Sequence, residues 1–159
     1  IRAEGKGLTI RNCKFIDCED GILGGSGTML IEYCEFAECG LDGRSHNLYI
    51  NNIDKLIFRY NYSHHAKVGH LLKSRARENH ILYNYFTDGK TGSSSYVINL
   101  PNGGRSLVLG NILVQGARTQ NSTMLAYGEE GVKYIESELY VVKNTLINNR
   151  HARVFLNGR

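Results

Sequence analysis

One short pattern of apolar and polar positions recurs six times along the chain: an apolar residue, two others, Cys or Asn, one more, and usually a second apolar residue. The copies run Ile10 to Phe15, Ile31 to Phe36, Phe58 to Ser63, Ile81 to Phe86, Val108 to Leu113 and Val141 to Leu146. Their anchors at 13, 34, 61, 84, 111 and 144 are 21, 27, 23, 27 and 33 residues apart. Copies that keep their core pattern while their spacing drifts read as coils of a solenoid with loop insertions.

Second apolar runs lie between the anchors: Ile22-Leu23, Leu48-Tyr49-Ile50, Leu71-Leu72, Val97-Ile98, Met124-Leu125 and Val154-Phe155-Leu156. Turns such as Asp20-Gly21, Asp42-Gly43 and Asp88-Gly89 separate the runs, so each coil offers at least two short strands. No long segment carries a helical period with caps. A β-sandwich of hairpins does not explain Asn at one phase of four successive coils, namely Asn61, Asn84, Asn111 and Asn144. Stacked parallel coils do, because each buried amide can serve turn backbone and the amides above and below it. The expected fold is all-β: a right-handed parallel β-helix of about six coils with an Asn/Cys ladder, forming one domain over residues 1–159.

Cys13 and Cys34 stand where later coils have Asn61 and Asn84, and Cys18 and Cys39 stand where later coils have Ala66, Gly89 and Gly116. A repeated Cys-x4-Cys invites zinc or a disulfide. Small inward side chains stacked coil on coil account for the same positions, and free thiols with no metal are the expectation. The first coil starts near residue 1 and the last ends by Arg159 without a covering helix. Open solenoid ends need covering, so the chain is expected to be a piece of a longer β-helix or to associate with itself through its ends.

Composition adds exclusions. With 42% hydrophobic and 21% charged residues, 18 glycines and one proline, the chain is neither collagen-like nor a disordered tail. No apolar run approaches the roughly 20 residues of a membrane span, and no membrane role is expected. The net charge of +4 is modest but concentrated. Between Lys55 and Tyr83 lie six Lys/Arg (Lys55, Arg59, Lys67, Lys73, Arg75, Arg77), one acid (Glu78), and four of the six histidines (His64, His65, His70, His80). A cationic, histidine-bearing strip on a flat parallel sheet suits an anionic linear polymer.

Strand alternation sharpens the strip. With Leu72 inward, Lys73 points outward and Arg75 follows on the same side. Aligning the second apolar runs puts Asn51, Lys73, Asn99 and Asn157 in one outward column, with Tyr49 and His70 beside it; a slip of one residue reverses the faces. His80 is expected to pack in its anchor strand, and His46 to satisfy turn backbone. Asn99-Leu100-Pro101-Asn102-Gly103-Gly104 reads as a tight loop. Glu129 and Glu130 are paired carboxylates in a loop beside the sheet, and as neighbours they do not suggest a glycosidase pair. The aromatic content is mostly tyrosine, and no nucleic-acid motif accompanies it.

The whole chain resembles the right-handed parallel β-helix superfamily typified by pectate lyases. The stretch from Gly69 to Asn79, with Leu100 to Gly104 and Tyr127 to Gly131, resembles uncharacterised bacterial β-helix repeat proteins. It is similar, more loosely, to the alginate C5-epimerase coil in which a His-Gly pair precedes a Ser-Arg pair. The resemblance implies action on an acidic polysaccharide by lyase, epimerase or hydrolase chemistry, in an extracellular or periplasmic setting. The Asn-Thr-Asp and Asp-Asp signatures of polygalacturonase-like hydrolases are absent, as is the epimerases' Asp-Pro-His-Asp segment, and few carboxylates are available to gather calcium. A metal-free lyase, a divergent enzyme or a binding module is left, with no cofactor.

The leading expectation is β-elimination on a uronate polysaccharide. Arg75, Arg77 or both neutralise the substrate carboxylate, Lys73 or His70 takes the C5 proton, and Tyr49 protonates the leaving oxygen. Arg77, Lys67, His64, His65, Asn99 and Asn51 are the expected binding residues. Two alternatives stand beside it: a uronate C5-epimerase, and a glycan-binding or structural module without activity.

Overall fold

A computed structural model describes residues 1–151 and 153–159, and among them there is no helix. Every strand pairing is parallel, and hydrogen bonding joins the strands into an 11-stranded and a six-stranded sheet. Two long strands, Arg2–Arg11 and Ile22–Glu32, belong to both halves of the larger sheet. The start of Ile22–Glu32 pairs with Leu48–Ile50 and its end with Lys55–Arg59. Between the two ends lie Gly24, Gly25 and Gly27 with φ of +101°, +107° and +67°, values that favour glycine and turn the strand between two faces.

Three faces result. The first carries Leu48–Ile50, Leu72–Ser74, Ile98–Leu100, Thr123–Tyr127 and Val154–Gly158. The second carries Lys55–Arg59, Glu78–Leu82, Arg105–Leu109 and Glu138–Val142. The third is the six-stranded sheet: Lys14–Ile16, Glu35–Ala37, Tyr62–His64, Tyr85–Thr87, Ile112–Gln115 and Thr145–Asn148. The chain visits first, second and third face in turn, so the expected parallel β-helix is what forms.

The recurring pattern has a clear physical content. Its opening apolar residue is the inward column of the second face, where Ile10, Ile31, Phe58, Ile81, Val108 and Val141 lie in register. The third-face partner column holds Phe15, Phe36, Ser63, Phe86 and Leu113. The rings of Phe15, Phe36, Phe58 and Phe86 follow one another at centroid separations of 4.9, 6.1 and 5.8 Å. Each such side chain, once removed from water, contributes about 1.5–3 kcal/mol.

Between the two faces the chain turns sharply through one left-handed residue: Asn12, Tyr33, Tyr60, Tyr83, Gly110 and Lys143 have φ between 52° and 68°. The residue after it is the anchor. Asn61 Oδ1 accepts from the Cys34 amide (2.9 Å), Asn84 Oδ1 from the Asn61 amide (2.9 Å), Asn111 Oδ1 from the Asn84 amide (2.8 Å) and Asn144 Oδ1 from the Asn111 amide (2.8 Å). The side-chain amides also bond each other, at 3.2, 2.9 and 2.9 Å along the row. At the corner Tyr33, Tyr60 and Tyr83 stack outside the protein, half exposed, with centroids 5.2 and 5.7 Å apart.

The four cysteines are free thiols in the structure, with Cys34 and Cys39 buried and Cys13 exposed. Cys18 and Cys39 bring their sulfurs to 3.0 Å. No cluster of metal-ligating side chains occurs among the described residues. His80 is half-exposed and pairs with Glu78 at 2.8 Å, not packed as expected, because its strand position points out of the second face. His46 does serve backbone: its Nδ1 accepts from the His70 amide at 3.0 Å.

Candidate functional site

Register fixes the outward column of the first face. Leu23, Tyr49, Lys73, Asn99, Ala126 and Asn157 lie side by side on successive strands. Tyr49, not Asn51, is the neighbour of Lys73, so the expected column is corrected by two residues at that coil. Asn51 follows the end of its strand and lines a cavity of about 380 Å³ with Arg2, Glu4, Leu23, Gly24 and Tyr49.

Lys73 and Arg75 point the same way because they are two residues apart on extended chain, while Ser74 between them is buried and donates to Asn79 Oδ1 at 2.6 Å. The two cations converge on one carboxylate. Lys73 Nζ lies 3.0 Å from Glu130 Oε1, and Arg75 Nη2 lies 2.5 Å from Glu130 Oε2. Arg75 also donates through Nε to Tyr49 Oη at 2.9 Å and through Nη1 to Asn102 Oδ1 at 2.6 Å. Both cations lie over the Tyr49 ring, at 5.3 Å for Lys73 Nζ and 5.6 Å for Arg75 Cζ. Their side chains are only 12% and 14% exposed.

Glu130 sits in the irregular segment between Thr123–Tyr127 and Glu138–Val142, which folds back over the first face. Backbone bonds hold it there: Gly128 donates to Leu100 O (2.9 Å), Glu130 to Pro101 O (3.0 Å) and Lys133 to Asn102 O (3.0 Å). Tyr134 Oη donates to Arg75 O at 2.7 Å. The proline loop is thus the seat of this segment. Burial pushes the Glu130 carboxyl up, but the hydrogen bonds and charges of Arg75 and Lys73 prevail and hold it below the usual carboxylate range.

Its neighbour behaves in the opposite way. Burial pushes the Glu129 carboxyl up, and the hydrogen bond from Asn99 Nδ2 to Oε1 (2.7 Å) offsets this only in part. Asn99 Oδ1 and Glu129 Oε2 are buried with no hydrogen-bond partner. Behind Asn99 stands His70, with Nε2 3.3 Å from Asn99 Nδ2 and Nδ1 accepting from the Tyr96 amide at 3.2 Å. The His70 and His46 rings stack at 4.4 Å. Burial, then the cations Lys73 and Arg75, push His46 down to about 3, and burial drives His70 well below the ordinary histidine value. Both rings are neutral supports.

The expected site residues therefore separate. Tyr49, Lys73, Arg75 and Asn99 share one patch. His70 is corrected from candidate base to buried support, because both ring nitrogens face the protein interior's own groups. Arg77 lies past the strand, 62% exposed, with Glu136 Oε2 at 3.4 Å. His64, His65 and Lys67 leave the patch altogether. His64 is on the third face beside Glu35 (3.4 Å) and bonds His65 (Nδ1 to Nδ1, 2.7 Å), while Lys67 pairs with Asp17. The basic stretch is continuous in sequence, but a corner of the coil divides it. Glu129, Glu130 and Asn102 are the partners that sequence reasoning left in loops; the one signal for them was the 33-residue spacing between anchors 111 and 144, the longest of the five.

The comparisons with known proteins agree with the architecture. No curated protein and no solved structure matches the chain. A family model described as a right-handed beta helix region matches residues 1–113, which include Tyr49, Lys73, Arg75, Asn99 and Asn102 but not Glu129 or Glu130. With that match over most of its length and with parallel coils throughout, the chain belongs to the right-handed β-helix family.

Proposed function

We propose that the first face binds an acidic, uronate-containing polysaccharide and cleaves it by β-elimination. The observation that carries this reading is the convergence of Lys73 Nζ and Arg75 Nη2 on a single carboxylate beside the phenol of Tyr49. A uronate carboxylate bound by Arg75 in place of Glu130 has its charge offset, which makes the adjacent C5 proton acidic enough to abstract. Lys73, two residues before Arg75 and facing the same way, is the base that takes that proton. The electron pair forms the C4–C5 double bond, the C4–O bond breaks, and Tyr49 gives its phenolic proton to the leaving oxygen. Tyr49 Oη accepts from Arg75, so its own proton is free to point at substrate. The cavity beside Tyr49 and Asn51 offers room for a neighbouring sugar.

A second reading, binding without chemistry, is favoured by one specific observation: Lys73 is held as an ion pair with Glu130, so no free base stands at the site. The experiment that decides is ultraviolet absorbance during incubation with alginate, pectate, hyaluronan and chondroitin. A rise from unsaturated uronate that is lost in Lys73→Ala and Arg75→Ala is the expected result. A flat trace with all four polymers overturns the lyase. Salt-sensitive binding without product then supports the binding module, and solvent-proton exchange at C5 supports the epimerase.

A further inference from the structure

We infer that Glu130 is a built-in occupant of the carboxylate subsite, and that a polysaccharide ligand must displace it to reach Lys73 and Arg75. This rests on the reading that the first face takes a uronate polymer, and it extends that reading to how access is controlled. Each Glu130 oxygen takes one cation, Oε1 with Lys73 and Oε2 with Arg75. A uronate carboxylate has the same planar pair of oxygens, so both compete for one position. The competitor is tethered: the segment is pinned by backbone bonds to Leu100, Pro101 and Asn102, so its carboxylate returns whenever the ligand leaves.

The same geometry lets the tether yield. The Glu130 side chain is 42% exposed, and the segment is seated by backbone bonds and by Tyr134 Oη on Arg75 O, none of which uses the Glu130 carboxylate. Rotation of the side chain alone opens the subsite and leaves the segment seated. Neutral Asn102 and Tyr49 remain to orient Arg75 after Glu130 has swung away. The ion pairs that hold Glu130 are partly solvated, and such pairs are weak enough for a polymer presenting many carboxylates to outcompete them.

The test measures binding of polygalacturonate and alginate at low salt by the wild type, Glu130→Gln, Glu136→Gln and Arg75→Ala, each checked for unchanged thermal unfolding. Glu136 is an acid of the same segment that faces Arg77, so its variant controls for the gain of one positive charge. Glu130→Gln is expected to bind ~3–10-fold tighter than wild type and clearly tighter than Glu136→Gln. That advantage is expected to vanish on methyl-esterified polygalacturonate, which has lost its carboxylates. If Glu130→Gln binds no tighter than Glu136→Gln while Arg75→Ala has lost binding, the occupant role is refuted and the uronate site survives. If neither wild type nor Glu130→Gln binds either polymer, both fall together.

Discussion

Replacing Asn84 by Ala removes the middle rung of the amide row and tests what the row contributes. Its Oδ1 accepts from Asn61 N and Nδ2, and its Nδ2 donates to Phe58 O (2.9 Å) and Asn111 Oδ1 (2.9 Å). After truncation Asn61 Nδ2 keeps Ile31 O, and Asn111 Oδ1 keeps the Asn84 amide. The Asn61 amide is left buried with no acceptor, at a cost of about 1–3 kcal/mol, and the remaining lost bonds add about 0.5–1.5 kcal/mol each. Partial relaxation trims that sum, and a loss of about 3–5 kcal/mol is expected.

Asn144→Ala is the internal comparison. It also accepts from the preceding rung, but its side chain is only partly buried, so water replaces what is lost and the expected cost is about 1–2 kcal/mol. Urea unfolding followed by far-ultraviolet circular dichroism measures both. Coincidence with the tyrosine fluorescence transition checks that the coils melt together. Asn84→Asp sharpens the comparison, since it keeps the acceptor but replaces the donor with an oxygen that faces Phe58 O and Asn111 Oδ1. A cost for Asn84→Ala below about 1 kcal/mol, or no larger than for Asn144→Ala, refutes the reasoning.

Three further outcomes follow from the charges and thiols. The hydrogen bond from Arg59, aided by Arg11 and opposed by burial, holds the Glu32 carboxyl below its usual range, so its contribution is present above the unfolded carboxylate pKa and is lost as pH falls through the folded one. Thermal unfolding of Glu32→Gln against pH is expected to show a lower plateau near neutrality and a shallower decline in acid. His46, held neutral down to about 3, stabilises fully above the unfolded histidine value of about 6.5 and loses that contribution as pH falls between the two, so His46→Asn is expected to flatten the slope across this window in the same measurement. Iodoacetamide followed by peptide mass mapping is expected to modify exposed Cys13 first. Cys39, buried, bonded to Cys18 and pushed up to about 12, is expected to react only on unfolding; early labelling of Cys39 would contradict its placement.

The fold was legible because its repeat is written twice, in the apolar residue that opens each copy and in the polar anchor three residues later. Ile31 and Phe58 share a column, as do Cys34 and Asn61, so spacing alone sets the stacking. The candidate site was legible where strand alternation governs it, at Tyr49, Lys73, Arg75 and Asn99. Asn51 was misplaced because the first face has strands of three residues, and a short apolar run leaves its phase free by a residue or two. His64 and Lys67 were misplaced because charge in sequence does not reveal a corner. Glu129 and Glu130 reach the site through a loop that crosses two coils, and no local periodicity encodes such a return.

The amide row also carries a rule about the order of coils. Each rung presents its side-chain oxygen to the coil before it, and any residue except proline has the backbone N–H that such an oxygen requires. A coil with cysteine at this phase can therefore precede a coil with asparagine at no cost to either, as Cys34 precedes Asn61. The reverse order is weaker, because a thiol following an asparagine coil offers only sulfur, a poorer acceptor than an amide oxygen; the Cys34 sulfur meets the Cys13 backbone amide and also faces Glu32 O. Coils of this protein are thus not interchangeable bricks. Moving the Cys34 coil to follow the Asn111 coil would leave the Asn111 amide a sulfur in place of the Asn144 oxygen, although every coil would keep its own sequence.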